Sequence, residues 1–268
     1  MPDFRTARAV LFVPGTRPDR FDKAVASGAD VVVLDLEDAV GPEDKDGARE
    51  GVVRWLRDGG RGAVRVNGVG TPWHADDLAA VGELGVPVMV PKAEDPDELA
   101  ATADRLRPGT DLVPLVETAA GILAAREVCR VPGVVRPAFG SVDLATQLGV
   151  DHTDPGALHH ARAALVLAAH AAGVGAPVDG VTTAVRDEEA LRGDCARALA
   201  LGLTAKLCVH PDQVPVVAGA FRPTEEQRAW ARRVVEAAGS GAVAVLDGAL
   251  VDKPVVDRAR SLLARAGD

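Results

Sequence analysis

Eight short apolar runs, each closing on a charged or turn-forming residue, recur along most of this chain. They are VLFVPGTR (10–17), VVVLDLED (31–38), AVRVN (63–67), VPVMVPK (86–92), LVPLVET (112–118), PAFGSVD (137–143), GVGAPVD (173–179) and TAKLCVHP (204–211). Nearly continuous runs of this length suit strands covered on both faces, as in a parallel sheet. Segments of helical character separate them at 19–28, 43–59, 95–109, 120–133, 159–173 and 187–202. The second of these carries acids early and arginines late, matching the helix dipole. Strand–helix alternation predicts right-handed crossovers. Eight strands favour a closed (β/α)8 barrel over an open doubly wound sheet, which more naturally uses five or six. In such a barrel the polar residues at the C-terminal strand ends converge on one face, where enzyme sites are built.

The length of 268 residues fits one barrel, expected over 1–222, followed by an extension over 223–268. In that tail, Thr224 with Gln227 forms a capping box that opens a helix. Asp247-Gly248 reads as the turn of a short hairpin, and Pro254 starts a last helix. The tail is too small to stand alone, so it is expected to pack on the barrel or on a neighbouring subunit. A net charge of −9 argues against a nucleic-acid-binding protein. No run approaches a membrane span and the N-terminus lacks the apolar stretch of a signal peptide. Cys129, Cys195 and Cys208 are widely spaced, outside any CxxC pattern, and read as buried reduced thiols of a cytoplasmic protein.

Glu117 and Asp143 are expected at neighbouring strand ends, about 4.8 Å apart, where both carboxylates reach one ion. Hard oxygen ligands without His or Cys suit Mg²⁺ or Mn²⁺ better than Zn²⁺; the alternative is a pair of solvated loop acids. Arg65, Asn67 and Lys92 supply positive charge and donors on the same rim. They fit a role in holding an oxyanion, and equally salt bridges to Asp35, Glu37 or Asp38. These three acids read as anchors for Arg17, Arg65 and Lys92, or for metal-bound water, since so many like charges need cations among them. The turn PGTRPDRF, with Arg17 and Arg20 beside a helix start, suits a phosphate or simply the surface. No Ser-His-Asp, Cys-His or Gly-x-Ser-x-Gly arrangement is legible, which disfavours a side-chain nucleophile.

LFVPGTRPDRF, VVVLDLEDAV with Lys45 and Arg49 following, VRVN, VPKAE, LVETAAGI, FGSVDLATQLG, AKLCVHPDQV and DGALVDKPVVDRAR together resemble, in order, the citrate lyase beta-subunit-like branch of the HpcH/HpaI aldolase family. The resemblance spans nearly the whole chain and implies a (β/α)8 barrel assembled as trimers or hexamers. It implies Glu117 and Asp143 as Mg²⁺ ligands and Arg65 as the group on the carbonyl oxygen at the reacting carbons. Arg17, Glu37 and Asp38 correspond to positions around the substrate and the CoA or carrier arm. Asp252 corresponds to an acid that reaches into a neighbouring subunit's site. FGSVDL stands where many members have FGAED. The implied activity is Mg²⁺-dependent carbon–carbon cleavage or formation of a β-hydroxyacyl thioester, such as malyl-CoA, citramalyl-CoA or a citryl thioester. The products are an acetyl thioester and a 2-oxo acid. Rival readings are an aldolase for free pyruvate or oxaloacetate that uses no CoA, and a scaffold subunit without turnover.

Overall fold

The computed structural model describes residues 3–238, 244–246 and 249–266. Eight parallel strands close into a barrel: β1 (Ala9–Pro14), β2 (Val31–Asp35), β3 (Ala63–Arg65), β4 (Val88–Val90), β5 (Leu112–Val116), β6 (Ala138–Phe139), β7 (Val178–Asp179) and β8 (Ala205–Cys208), with β8 pairing back onto β1. The helices are α1 (Phe21–Ala26), α2 (Lys45–Arg57), α3 (His74–Val81), α4 (Pro96–Ala103), α5 (Ala119–Leu123), α6 (Ala125–Cys129), α7 (Ser141–Leu148), α8 (His159–Ala172), α9 (Glu188–Leu201) and α10 (Gln213–Ala220). The (β/α)8 architecture expected from the eight runs is present. Asp95 and Asp187 cap α4 and α9 with side-chain oxygens, and Gly149, Gly173 and Gly202 end α7, α8 and α9 in the left-handed conformation.

The two-residue alternation of a strand decides which side chains fill the barrel. Val10, Val31, Val33, Ala63, Met89, Val113, Leu115, Ala138, Val178, Ala205 and Leu207 form the interior cluster. The intervening Val32, Leu34, Val64, Val88, Val90 and Val116 belong to the opposite face and are equally buried. Arg136 and the N-terminal segment complete the end opposite the strand C-termini. Its guanidinium donates to the carbonyls of Phe4 and Ala7 and to Thr204 Oγ1.

Several expectations shift. The run 137–143 is strand only over Ala138–Phe139; after Gly140 the chain turns straight into α7, so Asp143 lies in a first helical turn and not on a strand. The run 173–179 is strand only over Val178–Asp179. The segment 120–133 is two short helices broken at Ala124, whose ψ of 3° leaves the helical range. Helices α3, α7 and α10 were not expected, because each is short and two of them adjoin runs read as strand and turn.

The chain forms two compact units, Met1–Ala218 and Gly219–Asp268. The second contains α11 (Glu225–Ala238), the antiparallel pair β9 (Ala244–Leu246) and β10 (Ala249–Val251), and α12 (Lys253–Ala266). Thr224 and Gln227 exchange the reciprocal bonds of a capping box at the start of α11. Ala231, Val234, Val256, Ala259 and Leu262 bury a small core between α11 and α12. The Asp247-Gly248 turn lies outside the described residues. Cys129, Cys195 and Cys208 are free and buried. Among the described residues no helix is long and apolar enough to cross a membrane.

Arg136→Ala is expected to lower stability by about 3 kcal/mol, since it leaves a cavity and buried acceptors without a donor. The urea midpoint at constant m-value measures this; a change under about 0.5 kcal/mol would contradict the role given to Arg136.

Candidate active site

The period that fills the barrel with valine also builds its rim. Asp35, Arg65 and Glu117 each lie two residues beyond an interior residue (Val33, Ala63 and Leu115), so they form the next inward layer. Asp35 and Arg65 are register partners on β2 and β3. Their side chains form a bidentate pair, Arg65 Nε to Asp35 Oδ1 at 2.7 Å and Nη2 to Oδ2 at 2.6 Å. Arg65 Nη1 lies 2.9 Å from Glu37 Oε2, and the guanidinium stacks on the ring of Phe12 at 4.8 Å. Burial works against its charge, but Asp35, Glu37 and Asp38 outweigh burial and hold it more firmly protonated than an ordinary arginine.

Glu117 is 1% exposed. Its Oε1 accepts the backbone N–H of Lys92 at 2.8 Å, and Lys92 Nζ stands 3.9 Å away while donating to Glu37 Oε1. Lys92 is the one described non-glycine residue with positive φ, at 50°, and that strained turn aims its N–H at the carboxylate. Gly140 is equally constrained, because a methyl group there would overlap the Glu117 side chain. Burial, then the charges of Glu37 and Asp143, push the Glu117 carboxyl up to about 8. Glu37 is also raised, first by burial. Half-buried Asp143 has no ion-pair partner among the described residues.

A bracket of buried polar groups holds this rim from behind. Lys45 Nζ donates to the carbonyls of Leu36 and Glu37 and to Asn67 Oδ1. Asp77 Oδ2 accepts from the Asn67 backbone and side-chain amides, and Asp77 pairs with Arg49. His74 Nδ1 meets the Asn67 carbonyl oxygen. Asn67 is thus spent on the scaffold, and the expected oxyanion donor is a brace for the loops after β2 and β3. Asp179 is likewise no site acid: Val178 occupies the interior, so Asp179 faces outward. There it pairs with Lys206 and Arg162, which hold it charged against its burial.

A cavity of about 400 Å³ opens beside this rim, lined by Asp35, Asp38, Arg65, Glu117, Ser141 and Asp143 together with apolar residues. A second cleft of about 440 Å³ is lined by Arg17, Asp19, Arg20, Lys23 and His210 and shares Phe12, Pro14 and Val209 with the first. Arg17 pairs with Asp19 rather than with the acids at 35–38, which corrects its expected anchoring. Asp252 belongs to the second unit; it is exposed and accepts the Val255 N–H at the start of α12.

The HpcH/HpaI aldolase/citrate lyase family model matches residues 8–211. The chain belongs to this family. It is 40% identical to a citrate lyase subunit beta-like protein of Mycobacterium tuberculosis, covering 96% of this chain and 95% of the relative. It is 35% identical to a (3S)-malyl-CoA thioesterase of Cereibacter sphaeroides, covering 97% and 94%. The structure of CitE from M. tuberculosis in complex with magnesium, acetoacetate and coenzyme A superposes with a TM-score of 0.84 at 37% identity, covering 99% of this chain and 100% of that one.

Within this family member the donor set suits a hard divalent ion. Among the described residues no cluster of three or more His, Cys, Asp or Glu side chains is arranged to cage a metal. Glu117 and Asp143 instead offer two carboxylates beside an open cavity, and a small ion that retains water needs no more. Sequence reasoning missed Lys45 as a brace, Asp77 and the apolar lining from Phe12, Phe139 and Val181. The only signal for Asp77 lay in a helix too short to show its period.

The folded protein holds the Glu117 proton more tightly than an unfolded chain, whose glutamate titrates near 4.3. Stability therefore falls as pH rises from about 4.3 to about 8, and the deficit is complete above that. Glu117→Gln is expected to raise the thermal midpoint of the metal-free protein at pH 8.5 by at least about 3 °C, with little effect at pH 4.5. A lower midpoint at pH 8.5 would show that the carboxylate is satisfied without a metal.

Proposed function

We propose that this chain is a Mg²⁺-dependent carbon–carbon lyase that cleaves, or in reverse forms, a β-hydroxyacyl thioester, giving an acetyl thioester and a 2-oxo acid. The observation that carries the reading is the buried Glu117, which lines one cavity together with Asp143 and Arg65. Glu117 and Asp143 are the proposed metal ligands. When bound, Mg²⁺ supplies Lewis-acid polarisation and a template for a carboxylate and its adjacent oxygen. The relative crystallised with magnesium, acetoacetate and coenzyme A supports the ion and a coenzyme A carrier.

Arg65 is fixed by Asp35 and Glu37, so it arrives oriented, and its five N–H donors leave some for a substrate oxygen. In cleavage the hydroxyl proton leaves through Asp38, the solvent-open acid of the lining. The carbon–carbon bond breaks, the 2-oxo acid departs, and the electron pair remains on the thioester as an enolate whose oxygen faces Arg65. Lys92 offsets part of the charge of both Glu37 and Glu117. The cationic cleft with Arg17, Arg20 and Lys23 receives the phosphate-bearing carrier arm. Asp252 returns a proton to the carbon, in the site of a neighbouring copy of a trimer or hexamer onto which the C-terminal extension packs. A free-acid aldolase has no use for the cationic cleft, and a scaffold subunit has none for a strained Lys92 turn.

Glu117→Ala and Asp143→Ala are expected to lower Mg²⁺-dependent cleavage of malyl-CoA or citramalyl-CoA by more than the roughly 10–100-fold typical of an outer metal partner, with the fold retained by circular dichroism. Turnover within a factor of about three of the parent would refute the ligand assignment. Arg65→Ala and Asp252→Asn are each expected to be inactive, and mixing them should restore part of the activity by pairing intact halves. No recovery on mixing would place Asp252 in its own chain's site or outside catalysis.

A further inference from the structure

The rim is charged on the side of β2, β3 and β5 and apolar on the side of β7 and β8. Val209 lies two residues beyond the interior Leu207, so it joins the inward layer that Asp35, Arg65 and Glu117 form elsewhere. The matching position on β7, two beyond Val178, is Gly180, and the next residue, Val181, packs against the barrel core. Val181 and Val209 both line the rim cavity, and Val209 also lines the cationic cleft. Ion pairs hold Arg65 and Glu37 in place. A valine has no polar atom to be held by, so these two stand wherever their backbone puts them.

Gln213 fixes that backbone. It opens α10, is 1% exposed and reaches both loops at once. Its Oε1 accepts the Val209 N–H at 2.9 Å, and its Nε2 donates to the Thr182 carbonyl at 2.9 Å. Lys206 Nζ donates to the Gly180 carbonyl at 2.6 Å, and Thr182 Oγ1 donates to Asp194. Val181 therefore sits between two anchored residues, while Val209 is tied through its own amide. None of these bonds touches Glu117, Asp143 or Arg65. We propose that Gln213 is a positioning residue of the active site. By tying the loop after β7 to the loop after β8 it sets where Val181 and Val209 stand, and with Val209 the border shared by the rim cavity and the cationic cleft. The role rests on the lyase reading, in which one thioester occupies both spaces.

The test is steady-state kinetics of the intact Mg²⁺-loaded protein on the thioester it cleaves, beside isothermal titration with Mn²⁺. Gln213→Met, of similar length but without the amide, is expected to raise KM at least about tenfold. Its Mn²⁺ affinity should stay within a factor of about three of the parent. Gln213→Glu keeps the acceptor for Val209 and loses the donor for Thr182, so its KM should fall between the two; it carries the test alone if Gln213→Met does not fold. On a Val181→Ala/Val209→Ala background, Gln213→Met should add less than about threefold, because the groups it positions are gone. Arg136→Ala, destabilised at the far end of the barrel, should leave KM unchanged. A KM within about threefold of the parent in the Gln213 variants, the full penalty on the double-alanine background, weakened Mn²⁺ binding, or an equal rise in Arg136→Ala would overturn the positioning role and leave the lyase reading standing. A parent that cleaves no β-hydroxyacyl thioester would overturn both.

Discussion

Glu117 is a carboxylate with almost no access to water, placed next to two other acids and given only one backbone N–H and a distant ammonium in return. A globular chain has no stability reason to keep such a group, because burying an under-compensated acid costs free energy. The surroundings are nevertheless built to hold it still. Lys92 accepts a strained backbone to reach it, and Gly140 leaves the space its side chain fills. The rest of the rim follows from the same demand for fixed charge. Asp35 and Glu37 orient Arg65, and Lys45, Asn67 and Asp77 lock the loops that present them.

The barrel makes this arrangement affordable. Closure removes exposed strand edges, and the apolar interior below the rim supplies the stability that the acid cluster withdraws. Convergence is a matter of phase: two residues beyond an interior valine, alanine or leucine, the side chain must face the axis. The same rule turns Asp179 and Lys206 outward, where they form a buried structural pair with Arg162 behind β7 and β8. Strand-end acids are therefore not equivalent, and only those in phase with the core enter the cavity.

Much of this was legible in the chain itself. Eight apolar runs specified the closed sheet, and the core phase of β2, β3 and β5 leads to Asp35, Arg65 and Glu117 at the rim. Asp143 was found in the cavity for a different reason from the one expected, as β6 is two residues long and the acid rides on α7. Asn67 was misassigned because its partners, Lys45 and Asp77, come from helices whose faces no strand pattern reveals. Arg17 was tied to the wrong acids, since a local bond to Asp19 competes with any long-range pairing. Tertiary partnership, rather than local pattern, was the part that spacing did not carry.

The central claim is that Glu117 and Asp143 together hold one divalent cation facing Arg65. Anomalous diffraction from a crystal soaked in Mn²⁺ addresses it without reference to turnover. The account predicts a single strong peak in the first cavity, bonded to one oxygen from each carboxylate at about 2.1 Å, close to the distance Mg²⁺ demands. A crystal with ordered Glu117 and Asp143 side chains and no peak between them, or a peak bonded to other acids alone, would contradict it.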